Sequence, residues 1–506
     1  MTFKSTEEQE EIFRSILYGK HNLVIEAFAG CGKSTTIQEA INRLKLIVDE
    51  KCVISVIAFN KHIQEEMELK LPEGVKCKTL HGIGYGGIVR KYKDIKMDTF
   101  KVDNHIKKKL THWQLDSEFK KEGEKERYIK AIKEMVDLCR LTLTTNKEYV
   151  LKLADKHDIK PIKTLSDAKR VLQVLESMTN DIKTFDYTDM VYMPAVDNKI
   201  FLFPSDYLFI DEIQDISKAQ QKMIEKMIKR DRKTNVVTGK LIAIGDQKQA
   251  IYAFLGISEK QFDWFRTFPN TKILPLSYSF RCAKNIILEA NKIVPEIKAL
   301  SNAESGIVRN GNVLSEAQSG DFVLCRTTAP LVKLFFYYIS QSRTATIVGT
   351  EIGTNLIDMI GGFINVNDLL IYWMNRLEIL RDSLKSMGVL DVYEDNAYQS
   401  LDDKVTTLAF IAKYCKSTVD LKEKILKIFT DDKDNRGIIL STIHKSKGLE
   451  ADRVFIVRTD LLPLKAAMSR PWLLEQEYNL KYVAITRARN ELIYDYEWND
   501  DVKEKK

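Results

Sequence analysis

No stretch of the 506-residue chain stays apolar for the roughly 18 positions that a membrane-crossing helix needs. Met1-Thr2-Phe3-Lys4 is not followed by the apolar core of a secretory leader, so neither a membrane partner nor export is expected. Cysteine is sparse and scattered, standing singly at 31, 52, 77, 139, 282, 325 and 415 without a C-x-x-C pair. That spacing argues against a disulfide framework and against structural zinc, and it implies a reducing compartment. Ten prolines and 22 glycines are too few for a fibrous or low-complexity chain. Nor does one sign of charge dominate: 78 Lys and Arg against 71 Asp and Glu leave +7, a mild lean towards an anionic partner that decides nothing alone. No repeat of fixed period is evident. What remains, a balanced composition over a length exceeding one core, belongs to a globular protein of about two to four domains.

Short apolar runs at Leu23–Ile25, Val53–Ala58, Leu208–Ile210 and Leu241–Ile244 are each followed by a loop and then by helical periodicity. This is the pattern of β-α units around a parallel sheet. It recurs at Phe322–Leu324, Gly437–Leu440, Val454–Val457 and Leu492–Tyr494. The expected fold class is therefore α/β, with two parallel-sheet cores in tandem. Two long stretches without strand patterns read as mainly helical insertions hung on those cores. One is the Lys-rich 89–181, with Lys107-Lys108-Lys109, whose lysines could face duplex DNA or simply solvent. The other is 346–432, helical at Asp368–Met387 and Val405–Thr430. The boundaries expected are 1–88 with 182–272 for the first core and 273–345 with 433–506 for the second. Asp500–Lys506 reads as a solvated tail.

The most telling stretch is Ala27-Phe28-Ala29-Gly30-Cys31-Gly32-Lys33-Ser34, with Thr35 behind it, placed between an apolar strand and a helix. Glycines let backbone N–H groups close on phosphate oxygens, a lysine adds a point charge, and a serine hydroxyl meets Mg²⁺. Ala27 stands where the usual pattern has its first glycine. Far along the chain, Leu208-Phe209-Ile210-Asp211-Glu212 is an apolar strand ending in two carboxylates. The first can hold the metal with Ser34, and the second can polarise water. Lys33, Ser34, Asp211 and Glu212 together point to hydrolysis of a nucleoside triphosphate.

Read in order, further motifs resemble the series of the UvrD/Rep/PcrA branch of superfamily 1 helicases. Ser5-Thr6-Glu7-Glu8-Gln9 resembles the glutamine motif that reads adenine. Phe59-Asn60-Lys61 and Thr79-Leu80-His81-Gly82 resemble two single-strand contact motifs, and Asp186-Tyr187-Thr188-Asp189-Met190 the segment ahead of the metal strand. Asp211-Glu212-Ile213-Gln214-Asp215, Gly245-Asp246-Gln247-Lys248-Gln249 through Tyr252-Ala253-Phe254, and Ser279-Phe280-Arg281 follow. Leu324-Cys325-Arg326-Thr327, Thr442-Ile443-His444 through Glu450, and Tyr482 through Thr486-Arg487-Ala488 complete the series. The wording is most similar to the F-box DNA helicase subgroup, although no F-box segment is expected because the glutamine motif starts within the first ten residues. Leu255 stands where the family usually has arginine, and Tyr478-Asn479 replace a usual arginine pair; both bear on how hydrolysis is coupled to DNA.

The resemblance implies two RecA-like domains that use ATP and Mg²⁺ to move along single-stranded DNA and its junctions with duplex, with 3′→5′ polarity. Gln249 would sense the γ-phosphate. Arg281 and Arg487 would stabilise charge on it, Phe280 would stack on adenine, and Glu450 would contact ribose. Phe59, His81, Tyr252 and Phe254 would stack on bases, with Asn60, Lys61, Thr79, Arg326, Thr442 and His444 around the backbone. Two other readings stay open: a DNA-stimulated ATPase that strips bound proteins with little unwinding, and a non-motor DNA-binding subunit using ATP as an assembly switch. A monomer is expected, located in the cytoplasm with the nucleoid or a viral replication site, or in a nucleus; RNA as the track stays open.

Overall fold

The computed structural model describes residues 4–113, 119, 124–252, 256, 259–386, 389, 391–430, 437–468 and 470–498. Two compact units result, Met1–Phe28 with Gly32–Ser277, and Ala29–Cys31 with Tyr278–Lys506.

The first unit is built on six parallel strands: β1 (Asn22–Ala27), β2 (Ile54–Ala58), β3 (Lys76–Thr79), β4 (Tyr207–Ile210), β5 (Lys240–Gly245) and β6 (Thr271–Leu276). Their order across the sheet is β3-β2-β4-β5-β1-β6. Central strands are apolar nearly throughout because helices cover a parallel sheet on both faces. Leu23, Val24 and Ile25 of β1 and Leu208, Phe209 and Ile210 of β4 are accordingly buried. The edges differ. Polar Lys76-Cys77-Lys78-Thr79 forms one, and the proline-bearing Thr271–Leu276 forms the other, where a missing N–H is tolerated. Ile25 pairs with Ile244 and Ile210 with Ala243, so β1, β4 and β5 end side by side. Loops leaving those carboxyl ends form the crevice where open α/β sheets bind ligands.

The surrounding helices begin where the sequence caps them. In α1 (Glu7–Tyr18), Thr6 and Gln9 form a reciprocal capping box. Helix α2 (Lys33–Lys45) follows β1. Asn60 caps α3 (Lys61–Glu68), its Oδ1 accepting from Ile63 N at 2.9 Å. Thr79 caps α4 (Leu80–Lys91), its Oγ1 accepting from Gly82 N at 3.1 Å. Glycine inside a helix is normally destabilising. At Gly84 it is required, because a Cβ there would lie 1.7 Å from the carbonyl oxygen of Met190.

Among the described residues four helices follow: α5 (Lys101–Trp113), α6 (Glu124–Thr142), α7 (Lys147–Lys156) and α8 (Leu165–Thr179). They pack around a core of their own that includes Ile106, Ile132, Met135, Val136, Val171 and Val174. The chain enters and leaves this bundle through a short parallel ladder in which Lys96 pairs with Thr184 and Met97 with Phe185. Helix α9 (Asp189–Val196) then returns to α4.

The main sheet of the second unit has seven parallel strands: β7 (Ile307–Asn310), β8 (Phe322–Cys325), β9 (Ala345–Val348), β10 (Phe429–Thr430), β11 (Ile438–Thr442), β12 (Ala451–Val457) and β13 (Ala488–Asp495). Their order is β7-β13-β12-β8-β11-β9-β10. Helices Thr350–Ile360, Val366–Ser386, Asn396–Ala412 and Thr418–Ile428 intervene between β9 and β10. Unlike the first bundle, they have no separate core among the described residues. Leu356, Ile360, Leu408, Ile425 and Phe429 join Val323, Leu331, Ile347 and Leu440 in one continuous apolar cluster. The reason is local, since the last helix runs straight into edge strand β10 and brings its apolar stripe onto the sheet.

Candidate nucleotide and nucleic-acid sites

At the end of β1 the chain turns through Gly30 (φ 70°) and Gly32 (φ 74°), a left-handed conformation that suits glycine. Gly32 then starts α2 without any side-chain cap, so the first amides of that helix keep no side-chain acceptor at the N-cap. Ala29 and Cys31 are buried, whereas Ser34 and Thr35 are exposed. Lys33 Nζ lies 2.7 Å from Glu212 Oε1. Burial opposes the charge on Lys33, yet Glu212, Asp211 and Asp246 outweigh it and raise its pKa above the ordinary value.

Glu212, two residues beyond the end of β4, occupies a left-handed conformation (φ 54°). Its amide donates to Asp211 Oδ1 at 2.9 Å, and Ser34 Oγ stands 3.5 Å from Asp211 Oδ2. Burial, then the neighbouring Glu212 charge, pushes the Asp211 carboxyl up to about 6. Three carboxylates around one lysine leave a surplus of buried negative charge. Hard oxygen ligands of that kind fit a divalent cation bound with phosphate, and the pair Ser34 and Asp211 fits the metal role read from the sequence.

Two members of this cluster carry no role in the sequence reading. Asp246 is buried at the end of β5, and burial pushes its carboxyl up to about 6. Gln249 Nε2 donates to Asp246 Oδ2 at 2.7 Å, so the expected γ-phosphate sensor is held by this neighbour. Gln214 donates to Glu212 and accepts from Asp246 N at 3.0 Å, joining the ends of β4 and β5. Both stand inside motifs quoted above; only the strand register shows that they converge. Gln9 is buried against α2, its Nε2 donating to Thr36 Oγ1 at 3.0 Å. Its Oε1 accepts from Thr6 N at 3.0 Å.

The same carboxyl end of the sheet presents aromatic pairs. Phe59, after β2, stacks on Tyr252 with ring centroids 6.2 Å apart and planes 17° apart. His81, in the first turn of α4, stacks on Tyr187 at 4.3 Å and 20°. Burial drives His81 down to about 4, so its ring is neutral at physiological pH. Tyr187 is 60% exposed and was not among the residues expected to stack. Lys61 is exposed, with Nζ 3.6 Å from Glu65. Phe254 and Leu255 lie outside the described residues.

In the second unit Arg281 and Arg487 converge on one residue. Arg281 Nη1 donates to Thr486 O at 3.2 Å, and its Nε is paired with Glu450. Arg487, only 1% exposed, donates to Val483 O at 3.0 Å, Leu449 O at 2.9 Å and Thr486 Oγ1 at 3.4 Å. Burial, then the charge of Arg281, lowers its pKa to about 9. Glu450, expected at ribose, is bracketed by Arg281 and by Arg489, 2.6 Å away. The Phe280 ring is exposed, as an adenine platform would be.

Arg326, expected on a DNA strand, is engaged within the unit. Its Nε and Nη2 reach buried Glu477 at 3.0 and 2.7 Å, a bidentate pair that the sequence reading did not foresee. Thr442 is buried at the end of β11, with Oγ1 3.4 Å from Lys445 N. Burial, with Arg326 and Lys445 nearby, pushes His444 down to about 3.

Two family models and several curated relatives match this chain. The UvrD/REP helicase N-terminal domain model matches residues 5–267, and the UvrD-like helicase C-terminal domain model matches residues 375–497. F-box DNA helicase protein 1 of Schizosaccharomyces pombe is 25% identical over 96% of this chain and 57% of its own length. F-box DNA helicase 1 of Gallus gallus is 23% identical over 97% of this chain and 49% of its own. ATP-dependent DNA helicase UvrD1 of Mycobacterium tuberculosis is 32% identical, over 17% of this chain and 12% of its own. The chain thus spans about half the length of the two F-box relatives.

Proposed function

The chain belongs to the UvrD/Rep helicase family, and from that premise we propose that it is an ATP-dependent motor that moves 3′→5′ along single-stranded DNA and opens duplex ahead of it. The observation that carries this reading is the convergence of Lys33 with Asp211, Glu212 and Asp246 beneath the uncapped start of α2.

Substrate ATP would place its phosphates on the amides of Gly30–Ser34 and draw Lys33 from Glu212 to a phosphate oxygen. Glu212, released, would accept the proton of the attacking water. Mg²⁺, held by Ser34 and Asp211, would neutralise charge on the phosphate oxygens. Arg281 and Arg487 would stabilise the charge that develops as the γ-phosphoryl leaves, so that hydrolysis alternates with closure and opening of the two units. Gln9 and Phe280 would select and stack adenine, while Glu450 would exchange Arg489 for ribose. The stacked pairs Phe59–Tyr252 and His81–Tyr187 would receive bases regardless of sequence.

The test is ATP turnover with and without single-stranded DNA, followed by unwinding of 3′-tailed against 5′-tailed duplexes. Stimulation with opening of the 3′-tailed substrate supports the proposal. Stimulation without unwinding points to a protein-stripping ATPase, and no stimulation points to an assembly switch.

A further inference from the structure

The segment Asp186-Tyr187-Thr188-Asp189 is held from two sides, and the second side belongs to the helical bundle. Arg140, on α6, is 1% exposed and donates through Nη1 to both oxygens of Asp186 at 2.7 and 2.8 Å and to Asp189 Oδ1 at 3.1 Å. Its Nη2 is paired with Asp137. Lys101, at the start of α5 and fully buried, donates to Asp189 Oδ2 at 2.7 Å and to Thr184 O at 2.8 Å. The two aspartates also cap each other: Asp189 N donates to Asp186 Oδ1 at 2.8 Å, and Asp186 N to Asp189 Oδ2 at 3.3 Å. Between them the chain projects Tyr187 outward onto His81. On the other side α4, which bears His81, is locked to α9 by the close approach of Gly84 to Met190.

Burying two cations and two carboxylates gains little net stability over an apolar core of the same shape. Such a cluster does fix geometry, since each carboxylate oxygen has a defined donor. Here the fixed element is a segment of four residues whose outward side chain is half of an aromatic stack. Both cations come from α5 and α6, the bundle with a separate core, and the ladder Lys96–Met97 with Thr184–Phe185 joins the same segment to the bundle. We propose that Arg140, with Lys101, is a positioning residue for nucleic acid. It fixes the face that the stacked Tyr187 and His81 rings, 4.3 Å apart, present to a base and ties that stack to the bundle, so that load on the bundle is felt at the strand. The inference rests on the DNA-motor reading above and adds to it a coupling element away from the ATP site.

The experiment uses the full chain and compares Arg140→Lys with wild type. Lysine keeps the charge but cannot bridge Asp186 and Asp189. Expected are a lower unfolding midpoint with the protein still folded at the assay temperature, unchanged ATP turnover without DNA, and about a tenfold rise in the oligo-dT concentration giving half-maximal stimulation, the loss of roughly one base stack. Combining Arg140→Lys with Tyr187→Ala should then add nothing to the effect of Tyr187→Ala alone. An unchanged half-maximal concentration, or additive effects in the double variant, overturns the proposal. If Arg140→Lys does not fold, Lys101→Met is measured in the same way with the same two criteria. A wild-type protein that oligo-dT does not stimulate would refute the motor reading itself, a result separable from normal stimulation in the variants.

Discussion

Arg281 and Arg487 share Thr486, the first donating to its carbonyl oxygen at 3.2 Å and the second approaching its hydroxyl at 3.4 Å. The hydrogen bonds of Arg487 end on neutral oxygens, two carbonyls and that hydroxyl. A buried cation held in this way is costly to the fold and well suited to meet an anion. Arg487→Met should therefore lower the maximal rate of ATP hydrolysis by about 10³-fold while the unfolding midpoint holds or rises. Steady-state kinetics with thermal unfolding of the same preparation decides it. A variant that loses stability and keeps its rate would make Arg487 a structural residue.

The motifs of the candidate nucleotide site are legible because each one is local: a glycine loop after an apolar strand, and two carboxylates after another. The central strands at 23–25, 208–210 and 241–244 were readable for the same reason, being buried on both faces and apolar throughout. Edge strands escaped. Lys76–Thr79 alternates too polar a pattern, and Thr271–Leu276 carries a proline that only an edge tolerates. Partnerships across the chain escaped as well. Nothing local in Arg326 announces Glu477, 151 residues later, and nothing in Asp186 or Asp189 announces Arg140. Gln214 and Asp246 had their motifs but not their meeting, which the register of β4 and β5 creates.

The 2.7 Å pair between Lys33 and Glu212 makes a second prediction. Glu212 competes with phosphate for the lysine, so Glu212→Gln should bind ATP at least as tightly as wild type while turnover falls by about 10²-fold or more. Lys33→Ala should lose turnover by about 10²–10³-fold and weaken binding too. Equilibrium titration with a fluorescent ATP analogue separates the two. Weaker binding by Glu212→Gln would refute the competition.

Two histidines weigh against stability on the acid side, opposite in sign to the raised carboxyls of Asp211 and Asp246. Burial holds His81 at about 4, and burial with Arg326 and Lys445 holds His444 at about 3. An unfolded chain takes up these protons near the ordinary value of about 6.5. Below that pH the unfolded state binds more protons at these two sites, so their contribution to stability is full above it and falls on acidification. Between pH 7 and pH 5 the change in unfolding midpoint of His81→Gln should be more favourable than that of wild type by about 2–4 °C, since Asp211 and Asp246 act alike in both proteins. Parallel melts at the two pH values provide the measurement; equal changes would remove His81 from the account.

Phe59 and Tyr252 stack at 6.2 Å across the end of the sheet, with Phe59 partly exposed. If the pair receives a base, each ring contributes stacking of about 1–3 kcal/mol, and the ring left behind cannot sandwich the base alone. Phe59→Ala should then raise the half-maximal oligo-dT concentration by roughly tenfold with basal ATP turnover intact. The exposed ring fills little of the core, so the unfolding midpoint should stay within about 2 °C. Phe59→Trp, which restores a stacking face, should recover most of the loss. Recovery by Leu to the same degree would mean that apolar filling, and not stacking, is what the position supplies.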